Sequence, residues 1–353
     1  MKTIVLLLPG FPGDESDSTC LPAPQAFVRA VNRNFPALSV VIVALQYPLH
    51  KGTYSWNGNE VIAFDGKRYR SIFRPLLWFA VFRSLAKLKS KKKLIGVLSF
   101  WCTDGALIGK LFSYSHRLPH FCWLQGQDAK SENKMVRLIN LKSSCLISIS
   151  EFLSDQFELH HGIRPKHVIH NGIDPSEFHV DLPHGRPIDI LGVGSLITLK
   201  RFGYFIEAIG LLAKEMPLLK AVICGEGPER EQLQKQINEN GLNGTIRLTG
   251  ELPHHEVLAL MSQSRVLLHP SSFEGYSSAC LEALYAGCHV VSFIFPEKKA
   301  IAHWHVVQSF DELIHTCKTI LNKESDFTNV LVHTMDASAR SVISLFDYKE
   351  DNL

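Results

Sequence analysis

Short apolar runs alternate with longer helical patterns along most of the chain, and this alternation restricts its fold more than any other feature. Ten runs predict strands: Ile4–Leu8, Ser39–Ala44, Leu94–Ser99, His120–Leu124, Cys145–Ser150, Asp189–Val193, Lys220–Cys224, Thr245–Thr249, Val266–His269 and His289–Phe293. Eight periodic segments predict helices: Ala23–Asn32, Leu76–Lys89, Asp104–Phe112, Glu151–Leu159, Phe202–Lys214, Glu229–Asn240, His255–Gln263 and Ala279–Ala286. Strands that alternate with helices form parallel sheets covered on both faces, so the sequence predicts an α/β protein.

A chain of 353 residues is long for a single hydrophobic core, and the pattern gives about five strand–helix units in each half. We therefore predict two doubly wound, Rossmann-like domains that face a central cleft. The first domain takes residues 1–180 and the second takes residues 181–333, with the tail 334–353 packing back on the first. The boundary falls in Asp174–Pro187, which is rich in Pro, Asp and His and lacks periodicity, as linkers do.

Cysteine usage and the apolar runs indicate the compartment. The eight cysteines form no C-x-x-C pair, which argues for reduced thiols and against a disulfide framework or a zinc ribbon. The run Ile4–Leu8 ends at Pro9-Gly10 and no signal-peptidase site follows it, so a buried strand fits better than a signal peptide. No run reaches the roughly eighteen apolar residues of a membrane-spanning helix. We expect a cytoplasmic protein.

Positive charge is concentrated in residues 66–93, although the net charge of the chain is only +3. This stretch holds no acidic residue and ten basic ones, so the rest of the chain sums to −7 (3 − 10): Lys67, Arg68, Arg70, Arg74, Arg83, Lys87, Lys89, Lys91, Lys92 and Lys93. An apolar stripe at helical spacing predicts a helix that packs on the sheet and leaves a solvated basic face: Trp78, Val81, Phe82, Leu85 and Leu88. The alternative use of the cations within 67–93 is docking on the anionic inner face of a membrane. Basic and aromatic residues interleave only once, which disfavours nucleic acid as a partner.

The loops after the predicted strands carry the unusual residues, and open parallel sheets bind ligands at that edge. After the first strand, PGFPGDESD places Gly13 and Asp14 in a loop that is either functional or a solvated turn. After the strand Asp189–Val193, Gly192 and Gly194 form a G-x-G without the third glycine of a dinucleotide fingerprint. The sequence therefore argues against an NAD-dependent oxidoreductase.

Two cations, Lys200 and Arg201, follow the same strand and are predicted to open the next helix. Cations at a helix N-terminus oppose the helix dipole, whereas a bound anion would be favoured by the helix amides and by both cations. The alternatives are a phosphate site or two side chains in water, and we favour the phosphate site. In CGEGPEREQL, Gly225 and Gly227 add a tight loop before a helix, a signal that many strand–helix turns share.

The stretch HPSSFEGYSSACLEALYAG carries two carboxylates eight positions apart (282 − 274), Glu274 in a loop and Glu282 in the helix that follows. Ser277 or Ser278 is a suitable N-cap for that helix. Glu282 then lies about one turn inside the helix, and the two carboxylates can face one ligand. For Glu282 alone, a first-turn acidic residue that compensates the helix dipole is the simpler explanation.

Taken together, these loops resemble the retaining glycosyltransferases of family 4 (glycosyltransferase group 1), which have the GT-B fold. The resemblance runs over most of the chain and is strongest in VGSLITLKRFGYFIEAI, ICGEGPEREQL, RLTGELPHHEVLALM and HPSSFEGYSSACLEALYAGCHVVS. In the first half, WLQGQD, ISISEFLSDQF and HNGIDPSEF look like the acceptor-domain segments of the family. The resemblance implies a UDP- or GDP-linked sugar donor held by the second domain, a glycan or lipid-linked acceptor, and no metal or other cofactor.

The resemblance also implies roles for individual residues. Lys200 would contact the diphosphate, and Glu282 would accept hydrogen bonds from the ribose hydroxyls. Glu274 would hold the donor sugar together with the amides of Gly275, Tyr276 and Ser277. The remaining candidates are Ser195, Arg201, Gly225 and Gly227 on the donor side, and Gly13, Asp14, Gln125 and Asp128 on the acceptor side. Carboxylates suit hydroxyl donors, and cations suit the charge on a departing diphosphate, so catalysis is assigned to Glu274 and Lys200.

Three places depart from the family pattern. Ser195 stands where the family usually has Arg, with Arg201 as the candidate replacement; Gln125 stands where it usually has His; and FIFPEKKAIAHWH replaces a glycine-rich turn. We predict a retaining glycosyltransferase of surface polysaccharide synthesis, and the alternative is a catalytically silent sugar-nucleotide-binding protein of the same fold. Adjacent histidines such as His254-His255 point apart, which predicts satisfied or solvated side chains rather than a metal site.

Overall fold

The computed structural model describes residues 1–69, 73–178, 185–323 and 326–348, and it forms two compact units. The first unit comprises Met1–Gly172 together with the C-terminal segment that begins at Met335, and the second comprises Ile173–Thr334. The predicted boundary between residues 180 and 181 lies outside the described residues, as does Arg70 of the basic stretch. Each unit is built on its own sheet.

The secondary-structure elements follow the predicted alternation. The strands are β1 (Lys2–Gly10), β2 (Leu38–Tyr47), β3 (Lys51–Trp56), β4 (Asn59–Phe64), β5 (Lys93–Phe100), β6 (His120–Trp123), β7 (Leu146–Ser148), β8 (His167–Val168), β9 (Ile188–Val193), β10 (Ala221–Cys224), β11 (Ile246–Gly250), β12 (Ser264–His269), β13 (His289–Ser292) and β14 (Trp304–Val306). The α-helices are α1 (Pro22–Asn34), α2 (Arg74–Lys91), α3 (Asp104–His116), α4 (Lys134–Ile139), α5 (Glu151–His161), α6 (Phe202–Glu215), α7 (Arg230–Glu239), α8 (His254–Ser262), α9 (Ser278–Tyr285), α10 (Phe310–Asn322) and α11 (Met335–Ser344). Every predicted strand and helix coincides with one of these elements, and their ends differ by a few residues.

The sheet of the first unit has the order β3-β4-β2-β1-β5-β6-β7-β8. Its neighbours pair in parallel, except β3 with β4, which pair antiparallel. Strand β1 is buried along most of its length, as a strand covered by helices on both faces must be. The loops that follow β1, β5 and β6 therefore leave the same edge of the sheet.

The sequence patterns above do not predict the hairpin of β3 and β4. Its turn is Asn57-Gly58, with φ of 45° and 75°. Two successive positive φ angles are typical of the type I′ turn that joins hairpin strands, and Asn-Gly is its preferred sequence. The signal was therefore present in the sequence.

Helix α2 packs on the sheet by an apolar stripe, and basic residues of the stretch such as Arg83 and Lys87 are exposed on it. Its buried residues are Leu77, Val81, Leu85 and Leu88, and Trp78 and Phe82 are half-buried against the same cluster. This is the predicted stripe with Leu77 added, at the three- and four-residue spacing that places side chains on one helix face. Among the residues that the structure describes, no helix combines the length and the apolarity that crossing a membrane requires.

The C-terminal segment packs within the first unit. Asp336, in the first turn of α11, accepts a hydrogen bond from Arg33 of α1 at 2.6 Å. Further along, the ring of Phe346 packs edge-on against Phe121, with ring centroids 5.0 Å apart. The segment therefore completes the hydrophobic core of the first unit rather than that of the second.

The second unit is a single parallel sheet in the order β11-β10-β9-β12-β13-β14. Counted from β9 as the first strand, this is the 3-2-1-4-5-6 order of the Rossmann fold. The order reverses between β9 and β12, and ligands of such sheets bind beyond the carboxyl ends of the strands at this switch point. The loop of Lys200 follows β9, and the loop of Glu274 follows β12.

Candidate functional site

The loops at the switch point of the second unit bring Lys200 and Glu274 into direct contact. Lys200 ends a short 3₁₀ helix, Thr198–Lys200, and its Nζ donates to Glu274 Oε2 at 2.5 Å. A backbone hydrogen bond of 3.0 Å from Ser272 N to Leu199 O joins the same two loops. The side chains of Lys200 and Glu274 are only 18% and 23% exposed, so water screens this ion pair weakly.

The surroundings of Glu274 keep it ionised. Burial raises the pKa of a carboxyl, but here the hydrogen bond from His269 and the positive charge of Lys200 outweigh burial and hold the pKa of Glu274 at about 2. His269, at the end of β12, places its Nε2 3.4 Å from the same oxygen, Oε2. Burial lowers the pKa of His269, so at neutral pH it faces Glu274 as a neutral hydrogen-bond donor.

The prediction that Lys200 and Arg201 open a helix is wrong for Lys200. Helix α6 begins at Phe202, and Arg201 is its N-cap residue with φ of 52°. Lys200 precedes the helix, and its charge is balanced by Glu274 rather than opposed to the helix dipole. Arg201 is exposed, and its guanidinium lies 5.5 Å from the ring centroid of Tyr204.

Helix α9 starts between the two carboxylates, as predicted, and Ser277 rather than Ser278 is its N-cap. The Ser277 side chain accepts a 3.4 Å hydrogen bond from the amide of Cys280. Glu282 is the fifth residue of the helix and lies in its second turn, so it is not a first-turn residue that compensates the helix dipole. Glu282 Oε1 accepts instead from His254 Nε2 at 3.0 Å.

The thiol of Cys280, the third residue of α9, is buried near the start of this helix. Burial raises the pKa of this thiol to about 12; the charges of Glu274 and Glu282 raise it further, whereas the charge of Lys200 lowers it. All three predicted donor-site charges are thus close enough to Cys280 to act on it. Lys200 contacts Glu274 in the loop before α9, and Glu282 lies in the second turn of that helix.

The glycines at 225 and 227 serve backbone packing between loops. A Cβ at Gly225 would lie 1.9 Å from the carbonyl oxygen of Gly194, and a Cβ at Gly227 would lie 2.5 Å from that of Leu196. The loop after β9 runs directly over the loop after β10, joined by hydrogen bonds from Gly194 N and Leu196 N. The glycines are needed for this close approach, whether or not a ligand also approaches them.

Two donor-side candidates, Tyr276 and Ser195, differ in solvent exposure. Tyr276 is buried, and its hydroxyl donates to Glu297 Oε1 at 2.9 Å. Glu297 belongs to the segment FIFPEKKAIAHWH that replaces the family's glycine-rich turn. Gly275 is buried beside Tyr276, whereas Ser195 is exposed.

In the first unit, the acceptor-side candidates hold loops at one edge of the sheet. Asp128 is buried and accepts from the amides of Gln125 and Cys102, at 2.8 and 3.0 Å. Burial raises the pKa of Asp128 to about 7 against the lowering effect of these two bonds. Asp14 accepts from the amide and hydroxyl of Ser16, which lower its pKa. Gly13 donates to Asp17 of the same loop at 3.4 Å.

Sequence reasoning missed the partners of the acidic pair. His269 ends an apolar strand, and a polar residue at the carboxyl end of a buried strand is a signal that could have identified it. For His254 the sequence offers only a pair of histidines, which fits the prediction of satisfied side chains. Its nitrogens lie 3.3 Å from Glu177 Oε2 and 3.0 Å from Glu282 Oε1.

Residues 175–306 match the family model "Glycosyl transferases group 1", and this range contains Lys200, Glu274 and Glu282. This part of the chain is therefore similar to group 1 glycosyltransferases. The glycogen synthase of Mycobacterium tuberculosis is 29% identical over 177 residues, which cover 49% of this chain and 43% of that protein. One subunit of the human phosphatidylinositol N-acetylglucosaminyltransferase is 30% identical over 164 residues, which cover 45% of this chain and 34% of that subunit. The chain thus spans less than half the length of these curated relatives.

The similarity of fold to solved structures extends over nearly the whole chain. The structure of Anabaena Alr3699/HepE, solved with UDP and glucose, superimposes with a TM-score of 0.64 at 16% identity and covers 98% of this chain and 97% of that one. With the two Rossmann-like sheets, this similarity confirms the predicted GT-B fold class. Membership of family 4 within group 1 stays a prediction.

Proposed function

We propose that this protein is a retaining glycosyltransferase that transfers a sugar from a nucleoside diphosphate to a glycan or lipid-linked acceptor. The contact of Lys200 with Glu274 at the switch point carries the proposal, because it joins the two residues for which catalysis was predicted. The family match of this segment and the sugar-transferring names of its relatives support it. Surface polysaccharide synthesis remains the proposed role.

The proposed chemistry follows from the charges of the site. The bond between the anomeric carbon and the diphosphate breaks, and negative charge develops on the departing phosphate oxygen. Lys200 uses one of its three N–H donors on Glu274, which leaves two for this oxygen. The acceptor hydroxyl forms the new bond on the same face of the sugar, and its proton passes to the departing oxygen. Configuration is then retained.

In this scheme Glu274 binds rather than attacks. Its pKa of about 2 keeps it a carboxylate, and an ionised carboxylate accepts hydrogen bonds from sugar hydroxyls. Glu282 accepts from the ribose hydroxyls. No metal is required, because the cation that meets the diphosphate is Lys200. We propose a UDP- or GDP-linked donor.

Transfer assays test the proposal. Purified protein is incubated with UDP- and GDP-sugars and detergent-solubilised acceptors, and both nucleoside diphosphate release and glycosylated product are measured. We expect activity with one nucleotide class and a loss of at least about a hundredfold in Glu274→Gln. A wild-type protein that binds a donor but neither hydrolyses nor transfers it would support the silent, sugar-nucleotide-binding alternative, which the departures at Ser195 and Gln125 keep open.

We also propose that α2 docks on an anionic membrane surface. Phe73, Leu76 and Phe79 are 48%, 60% and 63% exposed at the start of this helix. Basic residues continue the exposed surface, and the ones without a carboxylate partner in the described part of the chain are Lys67, Arg83, Lys87, Lys89, Lys91 and Lys93. Exposed apolar side chains beside cations suit a headgroup interface, where each cation contributes about 1 kcal/mol.

Co-sedimentation with vesicles tests the docking. Binding to anionic vesicles at low salt is expected, with weaker binding to neutral vesicles and in the variant with Leu76→Ser and Phe79→Ser. The matched control is Leu218→Ser, an exposed leucine of the second unit. Absence of binding to anionic vesicles would refute this part of the proposal and leave the transfer reaction unaffected.

A further inference from the structure

His254 lies between two carboxylates that come from different parts of the second unit. It is the first residue of α8, and its Nε2 is 3.0 Å from Glu282 Oε1 in α9. Its Nδ1 is 3.3 Å from Glu177 Oε2, at the end of the 3₁₀ helix Pro175–Glu177. The three side chains are 13% to 21% exposed, so the contacts are shielded from water.

This arrangement fixes the Glu282 side chain. A glutamate has three rotatable side-chain bonds, and ordering such a chain on ligand binding costs conformational entropy. The bond from His254 orders Glu282 before any ligand arrives, and the second bond, to Glu177, holds the imidazole itself in place. A site whose binding groups are ordered in advance binds more tightly.

The contact also gives the two oxygens of the Glu282 carboxylate different roles. Oε1 accepts from His254, and within the described part of the chain the carboxylate has no other side-chain partner. Oε2 is therefore left for hydroxyl donors. Two neighbouring hydroxyls, as in ribose, can share one carboxylate oxygen because each carboxylate oxygen accepts more than one hydrogen bond.

We propose that His254 is a positioning residue of the nucleotide site, which orients the Glu282 carboxylate toward the ribose hydroxyls of the donor. The inference rests on the proposed function, in which Glu282 binds the ribose. It assigns His254 no contact with the ligand. The competing explanation is a structural role, in which His254 only ties the segment of Glu177 to α8 and α9.

A double-mutant cycle separates the two explanations. The affinities of UDP and GDP are measured by calorimetry for the wild type, His254→Ala, Glu282→Ala and the double variant. We expect each single substitution to lower the affinity for the nucleotide about tenfold. The double variant should bind the nucleotide no more weakly than Glu282→Ala alone. Affinity within twofold of wild type in His254→Ala, or full additivity in the double variant, would overturn the proposal.

The ribose itself gives a second readout, which a structural role would not change. The wild type is expected to bind the 2′-deoxy nucleotide about tenfold more weakly than the ribonucleotide, and His254→Ala to lose most of this difference. In His254→Gln the amide can still donate to Glu282, so the difference should largely return. If His254→Ala does not fold, His254→Gln replaces it in the test. A His254→Gln variant that binds the ribonucleotide and the 2′-deoxy nucleotide equally well would count against the positioning role. His255→Ala, an exposed neighbour on α8, is the matched control and should match the wild type.

The outcomes also distinguish this inference from the proposed function. A wild type that binds neither UDP nor GDP refutes both. A wild type that binds one of them and is weakened by Glu282→Ala, but not by His254→Ala, refutes only the positioning role.

Discussion

The contact between Lys200 and Glu274 can be measured as an interaction energy. Burial works against the Glu274 carboxylate, yet its pKa stands at about 2 against an ordinary value of 4.5. The hydrogen bond from His269 and the charge of Lys200 together produce this lowering, which corresponds to about 3 kcal/mol. Because the folded-state pKa is the lower one, this stabilisation is complete above about pH 4.5 and is lost as the pH falls through about 2.

We therefore expect Lys200→Met to lower the free energy of unfolding by about 2 kcal/mol at pH 7. The value stays below the 3–5 kcal/mol of a fully buried pair because both side chains keep some exposure. At pH 3 the deficit should shrink to about half, since the carboxyl of the variant is then largely protonated. Glu274→Gln should show a similar loss, and the double variant should reveal a coupling of about 2 kcal/mol.

Urea denaturation at pH 7 and pH 3, followed by circular dichroism, measures these values. Lys214→Met is the matched control, because Lys214 is an exposed lysine at the end of α6 and should change stability by less than about 0.5 kcal/mol. Losses that simply add in the double variant, or a Lys200→Met deficit that does not depend on pH, would refute the reasoning about this pair.

Three further substitutions test how the second unit is held together. Arg186 donates at 2.5 and 2.6 Å to carbonyl oxygens that follow α8 and α9, so Arg186→Met should destabilise by about 2–3 kcal/mol in urea denaturation, whereas the exposed control Arg247→Met should be nearly neutral. Gly225→Ala forces a Cβ to 1.9 Å from a carbonyl oxygen and should lower the melting temperature by at least about 10 °C, while Gly244→Ala, which meets open space, should not. Ser277→Ala removes the N-cap of α9 and should cost about 1 kcal/mol, which Ser277→Asp should restore. Equal effects in a variant and its control would contradict the corresponding argument.

Much of the fold follows from hydrophobic periodicity, because long buried strands and amphipathic helices leave a clear pattern. The run Ile4–Leu8 lies inside β1, and the pattern Phe202–Lys214 is nearly the whole of α6. Short elements such as the strand Trp304–Val306 were not predicted, because three residues are too few to show a period. The hairpin at Asn57-Gly58 was not predicted for another reason. The prediction followed the dominant strand–helix alternation and did not use the Asn-Gly turn signal.

The sequence predicted those parts of the candidate site whose residues are close together along the chain. It did not predict contacts between residues that are far apart along the chain. Glu274 and Glu282 share one loop and helix, so their spacing alone raised the question of a common ligand. The contact of Lys200 with Glu274 joins loops that are 74 residues apart and depends on the strand order β9-β12. His254 reaches Glu282 only because α8 packs beside α9, which no local pattern encodes.

The central claim is that the second unit binds a nucleoside diphosphate sugar at the loops after β9 and β12. The most direct measurement is the melting temperature in a panel of UDP-, GDP-, ADP- and TDP-sugars, since a ligand that binds only the folded state stabilises it by about 2.7 kcal/mol at a hundredfold excess over its Kd. We predict a rise of several degrees with UDP- or GDP-sugars, none with the corresponding nucleosides, and a reduced rise in Lys200→Met and Glu282→Ala. A panel in which no nucleotide sugar raises the melting temperature, or in which both variants respond as the wild type does, would contradict the account.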